Sequence, residues 1–481
     1  MSPNGSSSYT VPLVVGGKDR PSATSFPITS PETGETLHQC SNADVADAEA
    51  AVEAAAAALE GWRAQTPRAR RDVLLKAVAA FDARRDELLG YMQAETGATA
   101  QWAGLNLDVA RDIITDVAGR ISSLEGLAPA TQDPGVGAIV RKEPYGVVLA
   151  MAPWNAPYIL GVRAVALPLA AGNTVVLKGS ELSPRTMWGI VSAFADAGLP
   201  AGALNVVFSS RDNAAAVTGA LVAHPAVRKI NFTGSTAVGR IVGRLAGENL
   251  KPVLLELGGK APAVVWEDAD LDLAADQCAL GAFLNAGQIC MSTERVVVHK
   301  KVAAEFKAKF AASANRFFAP GGPAPVLVQA QGVARNRALV RDAVAKGAEV
   351  VLGDAEEGEG AGSENQMRPV ALAGVTPDMD IYRTESFGPT VSLFEVESED
   401  EAVRLANDTE YGLSAAVFTE DLRRGLRIAG RIESGAVHIN NMTVHDEPGL
   451  PHGGAKSSGF GRFNASGLEE WVKTKVVTYR V

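Results

Sequence analysis

The chain has 481 residues, 47% of them hydrophobic and 21% charged, with a formal net charge of -10 at pH 7. This length exceeds the size at which one hydrophobic core keeps growing, so we expect two or three domains. The acidic balance excludes nucleic acid and anionic membranes as main partners, and no apolar run approaches the roughly 20 residues needed to span a bilayer.

The N-terminal segment and the cysteines indicate the cellular compartment of the protein. Residues 1–8 lack the basic and apolar regions of a signal peptide and the Arg-rich pattern of a transit peptide. The cysteines Cys40, Cys278 and Cys290 are odd in number and have no metal-ligand spacing. We therefore expect free thiols, a cytosolic protein and no bound metal.

Two helices are the first predicted elements. The segment 41–44 (Ser-Asn-Ala-Asp) matches a capping box ahead of an alanine-rich helix that we predict to end near Trp62. Thr66, followed by a proline, predicts an N-cap for a second helix. That helix is predicted to run to about Glu95, where a glycine follows shortly.

From Val147 the pattern changes to apolar strands alternating with helical segments. The predicted strands are 147–152, 174–178, 204–208, 229–232 and 253–257. The clearest helix between them begins at Ser183–Pro184 and ends before residues 198–200. Such alternation predicts βαβ units, and hence a doubly wound parallel sheet of the nucleotide-binding type.

A second α/β region is predicted after Gly258. Its strands are predicted at 295–299, 349–352, 390–394, 415–418 and 436–439. The acidic, glycine-rich stretch 353–364 is predicted to be a solvated loop.

Cys290 is the candidate nucleophile. A lone cysteine among apolar residues is usually an inert core thiol, and this is our interpretation of Cys278, while Cys40 is interpreted as structural or surface. Around Cys290 the sequence differs, because Gly-Gln at 287–288 lies just before it and Met-Ser-Thr follows directly at 291–293. We predict a loop-to-helix turn, whose backbone N–H groups could stabilise a thiolate or an oxyanion.

Glu256 and Asn155 are the other candidate catalytic residues. Glu256 ends an apolar strand, and a buried carboxylate is either paired with a cation, here Lys251 or Lys260, or used to activate water. Asn155 lies at the carboxyl end of the first parallel strand, where ligands bind in open α/β sheets. Capping of the following helix is the alternative for Asn155.

Two segments are candidates for binding a dinucleotide, although no Gly-x-Gly-x-x-Gly follows any predicted strand. Gly234–Ser235 comes directly after a strand, at a helix N-terminus that suits a pyrophosphate. Lys178 and Glu181 follow the second strand, where a cation and an acid can bind ribose hydroxyls and the acid repels a 2′-phosphate. A surface ion pair is the alternative for these two residues.

Six motifs resemble the signatures of the aldehyde dehydrogenase superfamily, in the right order over residues 30–477. They are Pro-Trp-Asn at 153–155, Lys-x-x-Glu at 178–181, Phe-Thr-Gly-Ser-Thr at 232–236, the glutamate and cysteine segments around Glu256 and Cys290, and Glu-x-Phe-Gly-Pro at 385–389. The resemblance implies an α/β fold with a doubly wound cofactor domain (1–125 and 145–257), an α/β catalytic domain (258–467) and a small β flap (126–144 and 468–481). That flap would assemble a homodimer or homotetramer.

The resemblance also implies NAD-dependent oxidation of an aldehyde to the carboxylic acid. Cys290 would attack the carbonyl carbon, Asn155 and the Cys290 N–H would hold the oxyanion, and Glu256 would activate the water that cleaves a thioester. The implied cofactor residues are Ala152, Pro153, Trp154, Lys178, Ser180, Glu181, Gly234, Ser235, Gly239, Leu257, Glu385 and Phe387. Glu385 would hold the nicotinamide ribose, with Phe387 near the nicotinamide or simply in a turn, and Glu181 would favour NAD over NADP.

Residues 440–448 and 153–163 are most similar to the salicylaldehyde, benzaldehyde and vanillin dehydrogenase branch, which implies an aromatic substrate. Two segments depart from the family. Residues 209–212 replace a Gly-rich turn, so no cofactor contact is expected there, and His452 replaces the phenylalanine of Pro-Phe-Gly-Gly, which changes the expected wall of the substrate pocket. Arg163 either approaches a substrate hydroxyl or forms a buried ion pair.

Three alternatives remain at the level of sequence. A CoA-acylating dehydrogenase is disfavoured because such relatives generally lack the counterpart of Glu256. A semialdehyde or aliphatic aldehyde dehydrogenase would differ only in the pocket. A non-catalytic descendant of the fold is disfavoured by the intact Cys290, Glu256, Asn155 and Lys178.

Overall fold

The computed structural model describes residues 9–354, 364–464 and 468–480. An eight-stranded sheet carries the first half of the chain. Its spatial order is Gly459–Phe460, Val253–Glu256, Val227–Thr233, Val147–Met151, Thr174–Lys178, Leu204–Val207, Leu13–Val15 and Lys18–Arg20. The five strands from Val253–Glu256 to Leu204–Val207 run parallel, and the outer strands are antiparallel. The five strands predicted for this region are confirmed, whereas the three edge strands were not predicted.

Eight helices accompany this sheet within the described ranges. They are Val45–Arg63, Pro67–Ala83, Arg85–Thr96, Ala100–Arg120, Pro157–Ala170, Pro184–Asp196, Arg211–Ala223 and Thr236–Glu248. The first packs against the strands that begin at Thr174 and Leu204, and the helices that begin at Pro157 and Pro184 pack with those that begin at Pro67 and Ala100. One continuous apolar core encloses the central strands between these helices.

The predicted cap of the first helix is wrong by three residues. The helix begins at Val45, and the capping box is formed by Asp44 and Asp47, with Asp44 Oδ1 accepting from the Asp47 N–H at 2.9 Å. Ser41 is the last residue of the preceding strand Thr36–Ser41. The sequence contains two overlapping capping-box patterns, which begin at Ser41 and at Asp44. The first is not used, because Ser41 pairs in the strand.

The second predicted helix is two helices, because it breaks at Arg84. The backbone of Arg84 is non-helical, with φ -109° and ψ 15°. Its guanidinium donates to Ser192 Oγ at 2.7 Å and to Asp196 at 3.0 Å on a neighbouring helix. The predicted N-cap at Thr66 is confirmed, whereas Ser183 occupies an N-cap position without a side-chain capping bond.

A seven-stranded sheet carries the second half. Its spatial order is Glu349–Leu352, Val370–Ala373, Thr390–Val396, Thr293–His299, Ala261–Val265, Ser414–Phe418 and Ala436–Ile439. Its helices are Leu271–Phe283, Ala303–Phe317, Ala330–Ala345, Asp380–Arg383, Glu399–Asn407 and Leu422–Ala429. All five strands predicted here are confirmed, and Ala261–Val265 and Val370–Ala373 were missed. Of the predicted acidic loop, residues 355–363 lie outside the described residues.

Two small sheets complete the described strands. Val136–Pro144 pairs antiparallel with Val472–Arg480 along nine residue pairs, and eight of the nine residues of the latter strand are exposed. Thr10–Val11, Thr36–Ser41 and Ser25–Thr29 form the other sheet. None of the helices in the described ranges combines the length and apolar character needed to cross a bilayer.

The two large sheets meet end to end. The strand that ends at Glu256 leads through Gly258–Gly259 into the strand that begins at Ala261. The strands beginning at Thr293 and Thr390 are preceded by the segments that carry Cys290 and Phe387. The carboxyl edge of the first sheet therefore faces the amino edge of the second, and every candidate catalytic residue lies at this junction.

Candidate active site

A pocket of about 580 Å³ lies at the junction of the two sheets. This volume is in the range of small-molecule and cofactor sites. All three candidate catalytic residues line it, namely Cys290, Glu256 and Asn155. Seven of the twelve candidate cofactor residues line it as well: Pro153, Trp154, Gly234, Ser235, Leu257, Glu385 and Phe387.

Cys290 lies in a loop between the 3₁₀ turn Leu284–Gly287 and the strand Thr293–His299, and its side chain is partly exposed. The predicted loop-to-helix turn is therefore wrong, since a strand follows. Asn285 and Ala286 have left-handed backbones, with φ 50° and 56°. Such strain is kept only where the surrounding structure holds it, and it is common beside active sites.

Asn155 is tied to the nucleophile loop. Its Nδ2 donates to the Gln288 carbonyl at 3.0 Å, and its own carbonyl accepts from Trp102 Nε1 at 3.0 Å and Asn285 Nδ2 at 3.2 Å. The capping alternative is wrong, because Ala156 occupies the N-cap position of the next helix. A side-chain amide has two N–H donors, so one N–H of Asn155 remains for a ligand in the pocket.

Glu256 is fully buried, and neither carboxylate oxygen has a hydrogen-bond partner among the described residues. The salt-bridge alternatives are wrong, because Lys260 pairs with Glu294 at 2.5 Å and Lys251 donates to two backbone carbonyls. An unpaired buried carboxylate costs on the order of 1–3 kcal/mol or more. A group kept in that state at a pocket wall is a candidate for proton transfer.

The thiol and the carboxylate interact electrostatically. Burial, followed by the negative charge of Glu256, raises the pKa of the Cys290 thiol well above its usual value. The thiol is thus protonated in this state and lies beside a base able to accept its proton.

The cation and the acid after the second strand are close to the pocket but outside its lining. Lys178 ends its strand, and burial lowers its pKa. Among the described residues, the ion-pair partner of Glu181 is not Lys178 but Arg211, whose Nε lies 3.6 Å from Glu181 Oε1. We expected no cofactor contact from residues 209–212, yet Arg211 lines the pocket. In the sequence, the only indication that Arg211 lines the pocket was its position after the third parallel strand.

The helix Thr236–Glu248 points its N-terminus at the pocket. Ser235 is its N-cap, with Oγ accepting from the Val238 N–H at 3.4 Å, and Gly234 lines the pocket beside it. Gly239 lies inside the helix, where an added Cβ would collide with the Leu257 side chain, so the structure gives it a packing role. Ala152 and Ser180 also lie outside the lining of the pocket.

Glu385 and Phe387 reach the pocket from the second sheet. Glu385 Oε1 accepts from the Gly259 N–H at 2.8 Å, and burial with the nearby charge of Glu294 raises the pKa of Glu385 to about 8. Phe387 has a left-handed backbone (φ 47°) and packs edge-to-face on Trp154 with ring centroids 5.8 Å apart. The buried Glu294, which the sequence did not single out, accepts from the Ser386 and Phe387 N–H groups and fixes this loop.

These features fit a dinucleotide. A helix N-terminus offers N–H donors to a pyrophosphate, and Lys178 has no carboxylate within ion-pair distance among the described residues. At Gly258 an added Cβ would collide with the Glu385 carboxylate, so only glycine leaves that approach open. Within the described ranges, no three His, Cys, Asp or Glu side chains are grouped to hold a metal ion.

Arg163 and His452 lie behind the catalytic residues. Arg163 is buried, pairs with Asp446 and stacks over Phe463 at 5.8 Å, as the ion-pair alternative predicts. The sequence left open how His452, in place of an aromatic residue, would shape the substrate pocket. His452 is absent from the lining of the large pocket and faces Glu256 and Asp446 instead.

Comparison with known proteins places these features in one family. The sequence model of the Aldehyde dehydrogenase family matches residues 18–477. A vanillin dehydrogenase of Pseudomonas fluorescens is 46% identical to the chain over 476 residues, which is 97% of each protein.

Solved structures agree. A salicylaldehyde dehydrogenase from Pseudomonas putida G7, complexed with salicylaldehyde, superimposes with a TM-score of 0.94 at 38% identity and covers 98% of both chains. A betaine aldehyde dehydrogenase from Staphylococcus aureus in complex with NAD+ gives a TM-score of 0.92 at 27% identity, over 97% of this chain and 94% of the other.

Proposed function

The chain belongs to the aldehyde dehydrogenase family of NAD(P)-dependent oxidoreductases, and on that premise we propose that it uses NAD to oxidise an aromatic aldehyde to the free carboxylic acid through a thioester on Cys290. The observation that carries the proposal is that Cys290, Glu256 and Asn155 all line the same pocket. Nucleophile, base and oxyanion donor are the three groups that acyl transfer on a thiol requires.

The first half of the reaction forms the bond to sulfur. Glu256 takes the proton of the Cys290 thiol, whose raised pKa keeps it protonated until a base removes that proton. The thiolate attacks the carbonyl carbon, and the Asn155 amide and the Cys290 N–H hold the developing oxyanion. A nicotinamide bound in the pocket would supply the hydride acceptor that converts this adduct into a thioester on Cys290.

The second half releases the acid. Glu256 returns its first proton to solvent, then takes a proton from water as that water attacks the thioester. Cys290 leaves as a thiolate. Because Glu256 supplies this hydrolytic step, the product is a carboxylic acid and no CoA is needed.

The cofactor is held from both sheets. Lys178 and Glu181 bind the adenosine ribose, the helix N-terminus at Ser235 binds the pyrophosphate, and Glu385 binds the nicotinamide ribose. With its pKa raised to about 8, Glu385 is largely protonated at neutral pH and can donate as well as accept a hydrogen bond. NAD is preferred because the Glu181 carboxylate repels a 2′-phosphate.

The proposal of an aromatic substrate is based on the relatives of the chain. The vanillin and salicylaldehyde dehydrogenases cover nearly the whole chain at 46% and 38% identity. The apolar residues that line the pocket, Trp154, Leu160 and Phe387 among them, suit a planar ring.

The exposed small sheet assembles the protein as a homodimer, with a homotetramer as the alternative. Val476, Tyr479 and Leu127 on or beside this sheet are 63%, 47% and 65% exposed. Apolar side chains gathered on one exposed sheet mark an interaction surface. A cytosolic location suits an enzyme whose nucleophile must stay reduced.

The direct test is NADH formation by purified protein with NAD and benzaldehyde or salicylaldehyde, without CoA. We expect turnover in the wild type and none in Cys290→Ala, with Cys278→Ala as the matched thiol control. Activity on aliphatic aldehydes alone would overturn the substrate proposal but keep the mechanism. Dependence on CoA would overturn the hydrolytic step.

A further inference from the structure

A buried histidine lies directly behind Glu256. His452 Nε2 is 3.8 Å from Glu256 Oε1, and its Nδ1 is 3.8 Å from Asp446 Oδ1. Neither His452 Nε2 nor either Glu256 oxygen has a hydrogen-bond partner among the described residues. Buried polar atoms without partners are costly, so two facing polar groups left without partners, one of them the catalytic carboxylate, indicate a use.

The histidine backbone is fixed. The His452 N–H donates to the Phe463 carbonyl at 3.1 Å, and the Phe463 N–H donates back to the His452 carbonyl at 2.8 Å. This two-way bridge holds the ring between the two carboxylates. Only a side-chain rotation of Glu256 or His452 is therefore needed to bring them together.

Asp446 orients the ring. Burial raises the pKa of Asp446, but Arg163 and His452 outweigh that effect and lower the pKa below its usual value, so the carboxylate is ionised. Asn464 Nδ2 also donates to Asp446 Oδ1, at 3.1 Å. An ionised carboxylate at Nδ1 favours the proton on that nitrogen, which leaves Nε2 as a proton acceptor towards Glu256.

A small cavity connects this histidine with the surface. It measures about 30 Å³, which is room for one water, and His452 forms part of its wall. Glu447 and Leu450, also in the wall, are exposed to solvent. The His452 ring thus lies between the Glu256 carboxylate and a cavity whose wall includes solvent-exposed residues.

We propose that His452 is a positioning residue that relays the proton of Glu256 to solvent between the steps of the reaction, an inference that rests on the proposed function. Each aldehyde oxidised releases protons that must leave a fully buried carboxylate. The O–H bond of protonated Glu256 breaks as an N–H bond forms at His452 Nε2. The imidazolium then loses a proton to water in the cavity and returns to the neutral form, with no change of oxidation state.

The distances suit this transfer. A gap of 3.8 Å exceeds a hydrogen bond by roughly 1 Å, and it is too short to hold an intervening water. Rotation of the Glu256 side chain can close it, and the only group that this carboxylate would turn away from among its described neighbours in the electrostatics of the site is the Cys290 thiol.

Several titratable and charged groups surround His452. The titratable and charged groups that face it from the neighbouring elements are Glu256, Asp446, Arg163, His438, His445 and Glu447. His438 does not compete for the proton, because burial and the nearby His445 lower the pKa of His438 to about 4. The two carboxylates nearest to the ring, those of Glu256 and Asp446, carry the charge opposite to that of an imidazolium.

His452→Gln and His452→Ala test the relay in the intact protein. During turnover, intact mass would report the fraction of chains acylated on Cys290, alongside steady-state NADH formation across the active pH range. We expect His452→Gln to accumulate acyl-enzyme, to turn over about tenfold more slowly and to have an altered pH profile. Free imidazole should restore the rate of His452→Ala, which leaves room for it. His224→Gln, at the opposite edge of the first sheet, is the matched control.

Two outcomes would overturn the relay. Unchanged rate, acylation and pH profile in His452→Gln would show that the proton leaves by another route. Loss of both acylation and turnover, without rescue by imidazole, would show a purely structural histidine. Absence of NADH and of acylation in the wild type would instead refute the proposed function.

Discussion

The side-chain amide of Asn155 donates a hydrogen bond of 3.0 Å to the carbonyl of Gln288, two residues before the Cys290 thiol and 133 residues away in sequence from Asn155. This bond ties the carboxyl edge of the first sheet to the nucleophile loop of the second half. It places an amide donor beside the position where an oxyanion would form.

Replacing Asn155 tests the oxyanion role. We expect Asn155→Ala to lower kcat by about 100- to 1000-fold with a small change in KM, because removal of one oxyanion donor has that effect elsewhere. Asn213→Ala is a matched control, since Asn213 also donates its amide to a backbone carbonyl but does not line the pocket. Steady-state kinetics would show the contrast, and equal kcat in both variants would contradict the role.

The pairing of Cys290 with Glu256 predicts a pH effect with a definite sign. Because the charge of Glu256 raises the pKa of the Cys290 thiol, Glu256→Gln lowers that pKa. The thiolate should then form at lower pH, and iodoacetamide should alkylate Cys290 faster in the variant at any pH below the wild-type pKa. Rates measured against pH by peptide mass spectrometry would decide. A slower alkylation in Glu256→Gln would contradict the electrostatic coupling.

We predict that the choice between NAD and NADP depends on Glu181 and Arg211. Glu181→Gln removes the charge that opposes a 2′-phosphate and leaves the Arg211 guanidinium, 3.6 Å away from the carboxylate in the wild type, without its partner. We expect kcat/KM with NADP to rise about tenfold, the equivalent of one moderate charge interaction. The double variant with Arg211→Ala should lose this gain. An unchanged NAD to NADP ratio would place the adenosine ribose elsewhere.

The exposed strand Val472–Arg480 predicts that two or more chains associate through this surface. Val476→Asp introduces a charge into its apolar surface and should shift the mass measured by light scattering towards the monomer. Val344 is 37% exposed on the helix Ala330–Ala345, so Val344→Asp is the control and should leave the mass unchanged. A wild-type mass equal to one chain would contradict the oligomeric role.

The sequence predicted most of the parallel strands of both sheets because buried parallel strands are continuous apolar runs, as at 174–178 and 415–418. The edge strand Lys18–Arg20 is polar and exposed on all three residues, so it gave no such signal. The break at Arg84 depends on contacts with Ser192 and Asp196 more than a hundred residues away, which no local pattern contains.

For the site too, local sequence patterns predicted one part and long-range contacts determined the rest. The family motifs identified Cys290, Glu256 and Asn155, and all three line one pocket. The pairing of Arg211 with Glu181 and the position of His452 behind Glu256 are long-range packing facts. At His452, therefore, only the departure from the family motif was visible in sequence.

The most direct measurement is a single turnover of Glu256→Gln with NAD and benzaldehyde at alkaline pH. With Cys290 deprotonated and hydrolysis blocked, we expect one NADH for each chain, after which the reaction stops and the intact mass shows an acyl group on Cys290. Continued turnover in this variant, or NADH formation without a covalent adduct, would contradict the thioester mechanism.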